Sequence, residues 1–541
     1  MVVRNISDAF CYPSDFLDIA TAGSDDLPGV SVDDIAEIMN EDSLSTAFSG
    51  IGSPEVANNV FHHELQLRLG SMDAVKKPKC LHMIEWDHEA QCELMLLGEE
   101  DDSCLFSDIS QFWRPELRDI IDALSKSPSM SLEIIGPILS EGKAMLHHGN
   151  CLRHSHLRNG KRCCLKMAKR HIAGTSCTAY SSKGSRVGEL DQTILHFLAW
   201  VGLRLHLQEP DICQENVFQF PTESLLVRFL GDMYYVDWGT LDPVDLGFPS
   251  ARFRKWHRLR HRVKCLPSIS PFSRFCMRFN RITLMSWKEY YFTHNHKHGA
   301  IQNEFETELN WSQQRQGSSA KDQPSLVESR EDDAFWKSMT PTEQSYQQSY
   351  FQMWPEMAAQ LNQDPKSNHR SKSSPLHLHT LIHNMGLIFY HKPLDLDDEG
   401  EGLGPSGWRG CRRWMFGTEA LVSQAFPIHP RLHKGLTLTS FSKLRLNRKP
   451  RQVCAQAGNS MNVACSFLVQ LHAYLCVKRV PILTTIQNIH LFTTHGQRER
   501  NTSLSSSSRG PAQGEDADSN AKRAGTDGSM TRKRFRVKCN G

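Results

Sequence analysis

Short apolar runs alternate with longer amphipathic stretches between about residues 44 and 264. Ala47-Phe48, Leu81–Ile84 and Leu105-Phe106 are three of the runs, and the stretch from Leu190 to Leu205 has the apolar spacing of a helix. Strand-like runs that alternate with helical stretches are typical of βαβ units and a parallel sheet. The pattern therefore predicts an α/β domain over residues 44–264.

The 43 residues before this domain alternate acidic and apolar positions. We interpret residues 1–43 as an acidic N-terminal extension without an assigned function. Within it, Ser31 is placed to cap a short helix that runs to Met39, since serine accepts hydrogen bonds from the free N–H groups of a first helical turn.

The pattern changes again after residue 264. Residues 293–375 are rich in Gln, Ser, Asn, His and Lys, and we predict a polar, partly disordered insertion within a region that spans 265–450. Residues 451–480 regain apolar periodicity, with a helix predicted over 461–478. Residues 498–541 have the Ser-rich, Gly-rich and basic composition of a disordered tail.

Composition excludes several classes of protein. The 541 residues suffice for two or three domains, and no stretch of about 18 apolar residues occurs, so we expect no membrane span. The N-terminus leads into acidic residues and not into an apolar signal region. The 16 cysteines lack a paired framework, which favours reduced thiols in an intracellular protein.

Charge is segregated along the chain, although the formal net charge is only +2. Residues 1–50 hold ten acids and one base, whereas 151–170 and 251–264 each hold seven Lys or Arg and no acid. Basic stretches of this kind suit a phosphate backbone or the solvated face of a helix. Both interpretations stay open for 151–170, and we favour nucleic-acid binding for 251–264.

Three candidate cofactor contacts follow the predicted strands. Phe48-Ser49-Gly50-Ile51-Gly52 is a glycine turn that lets the backbone approach a ligand closely. Glu85 ends the second run, where an acid can bind ribose hydroxyls, and the neighbouring Trp86 can stack on adenine. Asp108-Ile109 ends the third run, where a contact to an adenine amino group is expected.

The candidate reacting groups come later in the chain. Cys177 lies in a turn of small residues, and cysteine is the strongest side-chain nucleophile near neutral pH when its thiolate is stabilised. Glu215 can protonate or hydrogen-bond a ring nitrogen, and Arg254 can hold a carbonyl oxygen of the same ring. A thiolate that attacks C6 of a pyrimidine makes C5 nucleophilic, so a methyl group can be accepted there. This chemistry needs no metal.

We expect no metal site. The histidines at 294, 296 and 298, and those at 377, 379 and 383, lack a Cys or carboxylate partner at a recognised spacing. Cys151, Cys163 and Cys164 lack the Cys-x-x-Cys spacing of a zinc site.

Taken in order, these segments resemble the motifs of the cytosine-C5 DNA methyltransferase family, which uses S-adenosylmethionine. The resemblance covers about residues 44–264 and resumes at 408–478. Glu215-Asn216-Val217 matches a family motif as it stands, and the other segments resemble their counterparts. Those segments are Phe48 to Gly52, Glu85-Trp86, Asp108-Ile109, Gly174 to Ser181 around the nucleophile, Gly247 to Arg254, Thr418 to Pro427, and Gly458 to Ala464 with Asn459 and Ser460.

The resemblance implies a Rossmann-like methyltransferase domain, with a smaller target-recognition domain inserted before the C-terminal motif. By the same analogy Cys177 attacks C6 of a base flipped out of DNA, Glu215 engages N3 and the amino group, and Arg252 and Arg254 support the ring and its O2. We expect a monomer that binds S-adenosylmethionine and DNA. Lys522-Arg523 and the basic run at 531–538 resemble a split nuclear-import signal, which favours a nuclear location.

Three positions depart from the family pattern. Thr175-Ser176 precede Cys177 where the family has a proline before the nucleophile, Thr178 replaces a Gln, and Ser250 replaces another. Two alternatives to a DNA methyltransferase therefore stay open. One is an RNA (tRNA) cytosine-C5 methyltransferase, and the other is a catalytically weakened homologue that binds nucleic acid.

Overall fold

The computed structural model describes residues 1–24, 29–97, 102–154, 162–182, 184–291, 302–315, 339–354, 357–367, 372–382, 388–391, 412–429, 432 and 450–479. The main sheet has seven strands: β1 (Ser43–Ala47), β2 (Lys79–Ile84), β3 (Cys104–Phe106), β4 (Arg170–Gly174), β5 (Asp211–Asn216), β6 (Tyr234–Leu241) and β7 (Arg254–His261). Shorter strands pair outside it: Val2–Val3 with Ile282–Thr283, His148–Gly149 with Cys163–Cys164, and Ala359–Gln360 with Ile388–His391 and Arg412–Trp414.

The helices follow in chain order. They are α1 (Ile6–Phe10), α2 (Tyr12–Ala22), α3 (Val32–Asn40), α4 (Ser53–Leu69), α5 (His88–Leu97), α6 (Arg118–Lys126), α7 (Ser131–Ser140), α8 (Thr193–Leu207), α9 (Arg228–Leu230), α10 (Phe272–Met277), α11 (Gln302–Arg315), α12 (Pro341–Met353), α13 (Gly417–Ser423), α14 (Pro450–Asn459) and α15 (Val463–Cys476). Within the described ranges no helix is long and apolar enough to cross a bilayer.

The sheet runs in the order β3-β2-β1-β4-β5-β7-β6. Strands β1 to β5 pair in parallel, and β7 is antiparallel to both of its neighbours. The order 3-2-1-4-5 is that of a doubly wound sheet, whose direction of winding reverses between β1 and β4. The α/β fold predicted from the sequence is confirmed, and ligands of such sheets bind at the carboxyl ends of the strands beside this reversal.

Helices cover both faces of the sheet, and each face has its own apolar core. The predicted helix after Ser31 is confirmed as α3, and Ser31 and Asp34 form a reciprocal capping box. Phe16 and Ile35 are fully buried, so the acidic extension is part of the core and not a solvated appendage.

The helix predicted at 461–478 is confirmed as α15, which packs along α4. The rings of Phe61 and Phe467 lie 4.8 Å apart, and Nε2 of Gln470 donates to the carbonyl of Pro54 at 2.8 Å. The C-terminal segment is thereby fixed against the helix that follows β1.

Part of the predicted polar insertion is helical. The carboxylate of Glu304 in α11 accepts from the backbone N–H of Gly417 at 2.7 Å, at the start of α13. Arg451 in α14 bridges Glu308 of α11 and Glu343 of α12, with N–O distances of 2.6 and 2.7 Å. Residues 292–301 and 316–338 lie outside the described part of the chain. The recognition domain predicted for this region stays a prediction.

Both basic stretches place charge inside the protein. Arg170 on β4 pairs with Asp42 at 2.9 Å, and Arg258 on β7 pairs with Asp211 at 2.6 Å, with all four side chains buried. Lys264 donates to the carbonyl of Gln208 at 2.6 Å. Much of the positive charge that we assigned to a phosphate backbone in 251–264 therefore neutralises or satisfies internal groups. Residues 155–161 of the other stretch lie outside the described residues.

Candidate active site at the carboxyl edge of the sheet

The glycine turn follows β1 at the point where the winding reverses. Phe48, Gly50 and Gly52 have φ values of 54°, 60° and 89°, a region in which only glycine is unstrained. A Cβ on Gly50 would lie 3.5 Å from the carbonyl oxygen of Asn459 and 3.5 Å from Cα of Ser460. The structure thus brings the last two predicted cofactor residues against the turn, although they are more than 400 positions away in the sequence.

Glu85 joins the ends of β1 and β2. Its buried carboxylate accepts from the backbone N–H groups of Gly50 at 2.9 Å and of Trp86 and Asp87 at 3.0 Å each. Burial raises the pKa of Glu85 to about 7, against the opposing effect of these hydrogen bonds. The neighbouring Trp86 side chain is 76% exposed, so a large aromatic face is open to solvent beside the buried acid.

Asp108 and Ile109 follow β3 and have different surroundings. Asp108 is exposed, and its carboxylate accepts from the backbone N–H of Ser110 at 2.8 Å, where it caps a short 3-10 helix. Ile109 is 2% exposed and packs in the core. Of the two, Asp108 is the one whose side chain is accessible to a ligand.

Close backbone contact joins the nucleophile loop to the glycine turn. Gly174 ends β4 and is in register with Glu215 on β5. A Cβ on Gly174 would lie 2.9 Å from the carbonyl oxygen of Phe48 and 3.6 Å from Oε2 of Glu215. Glycine at position 174 therefore allows the chain to pass between the turn and the acid, and Cys177 follows three residues later.

Cys177 lies within electrostatic reach of all three of its predicted partners. Cys177 as a whole residue is partly exposed, but its thiol is largely buried, and this desolvation raises the pKa of the thiol above the ordinary value of 9.0. Arg254 and Arg252 act in the opposite direction, and Glu215 adds to the rise. Nε of Arg254 lies 3.1 Å from Oε1 of Glu215. The predicted nucleophile, acid and guanidinium groups are thus gathered in one place.

Arg252 and Arg254 differ in what they contact. Arg252 is buried, and its Nη1 donates to the carbonyl oxygens of Leu381 at 3.3 Å and Gly458 at 3.1 Å. Burial lowers its pKa to about 10. Arg252 therefore ties the start of β7 to the segment before Asn459, whereas the resemblance implied that both arginines support the ring directly.

Hydrogen bonds hold the start of the loop where the family has proline. Nδ2 of Asn216 donates to the carbonyl oxygens of Thr175 at 3.1 Å and Ser176 at 3.3 Å, and to Oγ1 of Thr175 at 3.0 Å. Gln214 also donates to Oγ1 of Thr175. Sequence reasoning missed this role of Asn216, although the residue stands inside the motif Glu215-Asn216-Val217.

A cavity of about 660 Å³ lies away from this site. Its lining includes Tyr235 of β6 and Arg260 of β7, and none of the candidate residues borders it. The reactive groups instead lie together beside the reversal of the sheet between β1 and β4.

Four residues without a predicted role lie close together at the other end of β3. They are Cys104, Cys151, His154 and Cys163, and all their ligand atoms lie within 4.8 Å of one another. The spacing of Cys151, Cys163 and Cys164 alone predicts no zinc site, but Cys104 and His154 complete a set of four possible ligands.

No protein-family model matches the sequence, and no curated protein matches it significantly. Several solved structures do. A DNA modification methyltransferase from an Escherichia coli prophage, described as putative, is 13% identical, with 80% of this chain and 98% of that chain covered and a TM-score of 0.38. The Dnmt2 methyltransferase of S. pombe is 14% identical with the same coverage and a TM-score of 0.37. A Spodoptera frugiperda DNMT2 mutant is 12% identical, covers 80% and 100%, and has a TM-score of 0.38. These scores are low, so the fold rests on the strand order itself.

Proposed function

We propose that the protein is a DNA (cytosine-5-)-methyltransferase, which transfers a methyl group from S-adenosylmethionine to C5 of cytosine through a covalent adduct at Cys177. One observation carries the proposal. The Cys177 loop, the Glu215–Arg254 pair and the glycine turn at Gly50 meet beside the reversal of a doubly wound sheet, where such folds bind their ligands.

The thiolate of Cys177 adds to C6 of the target cytosine, and the electrons of the 5,6 double bond move towards C5. Glu215 holds N3 and the exocyclic amino group, and Arg254 holds O2. Transfer of the methyl group to C5 would leave S-adenosylhomocysteine as the by-product. C5 then loses its proton to water, the C6–S bond breaks and the 5,6 double bond is restored. Cys177 leaves as a thiolate, ready for another turnover.

The residues at the strand ends fit S-adenosylmethionine, which supplies an electrophilic methyl group when bound. Because Gly50 has no side chain, its backbone can approach the backbone of Asn459 and Ser460 closely. Glu85 is placed for ribose hydroxyls, because Oε2 accepts one backbone hydrogen bond and keeps a second lone pair. The exposed indole of Trp86 offers a stacking face for adenine, and Asp108 an accessible carboxylate.

Methyl transfer from labelled S-adenosylmethionine tests the proposal. The protein is incubated in parallel with duplex DNA and with tRNA, and we expect label in DNA and none after Cys177→Ala. Label that survives this substitution contradicts the role of Cys177. Label in tRNA alone supports the RNA alternative.

A trapping experiment distinguishes an active methyltransferase from a catalytically weakened homologue that only binds nucleic acid. DNA that contains 5-fluorocytosine cannot lose a proton from C5, so an active enzyme stays bound to it covalently after methyl transfer. A stable adduct, lost in Cys177→Ala, supports catalysis. Binding of the same DNA without an adduct supports the non-catalytic alternative.

We also propose a cellular location and an oligomeric state for the enzyme. Lys522-Arg523 and the basic run at 531–538 lie outside the described residues, and we propose them as a split nuclear-import signal. Its removal should leave a fluorescent fusion in the cytoplasm. We also propose a monomer, which sedimentation of the purified chain would test.

A further inference from the structure

Three sulfur atoms surround one imidazole nitrogen at the amino end of β3. Nδ1 of His154 lies 3.5 Å from Sγ of Cys104, 3.4 Å from Sγ of Cys151 and 3.7 Å from Sγ of Cys163. Tetrahedral zinc, with Zn–S of about 2.3 Å and Zn–N of about 2.0–2.1 Å, requires sulfur–nitrogen separations of about 3.5 Å. The observed sulfur–nitrogen separations lie close to that value.

The other nitrogen of the same ring is also held. Nε2 of His154 lies 2.7 Å from Oδ1 of Asp102. Histidines that bind a metal through one nitrogen usually donate from the other to a carboxylate, which fixes the tautomer and the ring orientation. The hydrogen bond to Asp102 favours the tautomer that carries its proton on Nε2, and Nδ1 of His154 then faces the three sulfur atoms as a possible ligand.

Backbone pairing fixes the segments that supply the ligands. Cys151 forms a β-bridge with Phe106 of β3, and the short strand Cys163–Cys164 pairs with His148–Gly149. Cys151, Cys163 and His154 are buried, and Cys104 is partly buried. Three of the four ligands, Cys104, Cys151 and Cys163, thus lie in paired strands or in a β-bridge.

We propose that Cys104, Cys151, His154 and Cys163 bind one structural zinc ion. Four protein ligands complete a tetrahedral shell and leave no open position, which is the arrangement of structural and not catalytic zinc. The cysteines bind as thiolates, so uptake of zinc releases their protons. The ion would clamp the basic segment before β4 to the start of β3, at the end of the strand opposite Asp108.

The metal content of the purified full-length protein tests the site. We expect one equivalent of zinc by elemental analysis, and Co²⁺ in its place should give the ligand-field and sulfur charge-transfer bands of a tetrahedral, thiolate-rich site. Iron in place of zinc, or no metal together with free thiols, would overturn the proposal. So would a disulfide within the cluster, detected as a mass loss of two hydrogens in the unreduced protein.

Variants locate the metal in the chain. Cys163→Ser should lose the zinc, whereas Cys164→Ser, which changes the adjacent exposed cysteine, should keep it. Asp102→Asn should keep the cobalt bands and weaken zinc affinity about 10- to 100-fold, as measured by chelator competition. Zinc retained in Cys163→Ser, or affinity unchanged in Asp102→Asn, contradicts the assigned ligand set. These readouts do not depend on methyl transfer.

Discussion

Glu215 and Arg254 form an ion pair, with 3.1 Å between Oε1 and Nε, across two strands of opposite direction. Both side chains are largely buried, with 9% and 15% of their surface exposed. The pair lies within electrostatic reach of Cys177, where its two members have opposite effects on the thiol pKa. The site can therefore be tested through the reactivity of this thiol even without substrate.

Alkylation of Cys177 by iodoacetamide should accelerate about tenfold per pH unit between pH 7 and 8.5. Burial raises the pKa of this thiol above 9.0, and only the thiolate reacts, so its fraction grows with pH throughout this window. Mass spectrometry of the peptide that contains Cys177 gives the rate. A rate independent of pH would contradict the raised pKa.

At a fixed pH, Glu215→Gln should speed this alkylation and Arg254→Gln should slow it, because the carboxylate raises the pKa of Cys177 and the guanidinium lowers it. The exposed Cys164 serves as the internal control, and its rate should stay constant. If both variants shift the Cys177 rate in the same direction, the proposed electrostatic arrangement is wrong.

Glu215→Gln should also lower the rate of methyl transfer to DNA about 10²- to 10⁴-fold, since it removes the proposed acid.

Asn216→Ala should lower the rate of methyl transfer about 100-fold and leave DNA affinity nearly unchanged. The side-chain amide holds Thr175 and Ser176, and a displacement of about 1 Å in a catalytic loop costs this much. Single-turnover kinetics and DNA titration separate the two effects. Asn150→Ala, at an exposed position, is the matched control. Equal losses of rate in both variants would remove the special role of Asn216.

Glu85→Gln should alter the pH dependence of stability. Glu85 has a pKa of about 7 in the folded protein and an ordinary value of 4.5, so the folded state retains the proton to higher pH. This group's contribution to stability is therefore full below about pH 4.5 and is lost as pH rises through 7.

Thermal unfolding of wild type and Glu85→Gln between pH 4.5 and 7.5 measures that contribution. The Tm of wild type relative to the variant should fall across this window. Glu116→Gln, which removes an exposed carboxylate, should show no such trend. A difference between wild type and Glu85→Gln that stays constant with pH would contradict the raised pKa.

Arg170→Met should destabilise the protein by about 1.5–3 kcal/mol, the usual contribution of a hydrogen bond to a charged group. The side chains of Arg170 and Asp42 are fully buried, and removal of the arginine leaves the Asp42 carboxylate with Arg479 and Tyr474 as partners. The adjacent pair Lys169 and Glu41 is exposed, with 3.4 Å between the charged atoms, and Lys169→Met should cost less than about 1 kcal/mol. Urea denaturation gives the free energy of unfolding of both variants. Similar losses would show that burial of the ion pair does not decide its contribution to stability.

Local sequence determined the elements whose pattern is periodic or capped. The apolar run before Glu85 folds as β2, the stretch after Leu190 contains α8, and Ser31 caps α3. The order of the motif residues also predicted which groups belong to one site, and the structure brings Cys177 and Glu215 together. These features depend on neighbours in the chain, so a linear pattern contains them.

Tertiary structure alone decided the rest. Strands β4 and β7 contain buried arginines and histidines, so their sequences lack the apolar alternation that predicts a strand. Arginines can be buried there because partners distant in the sequence, such as Asp42 and Asp211, neutralise their charges. Arg252 lies in a motif, yet its hydrogen bonds to Leu381 and Gly458 depend on how the C-terminal segment returns to the sheet. The cluster around His154 likewise needs Cys104, which is 50 positions away. Such contacts form between segments that only folding brings together, so no local spacing records them.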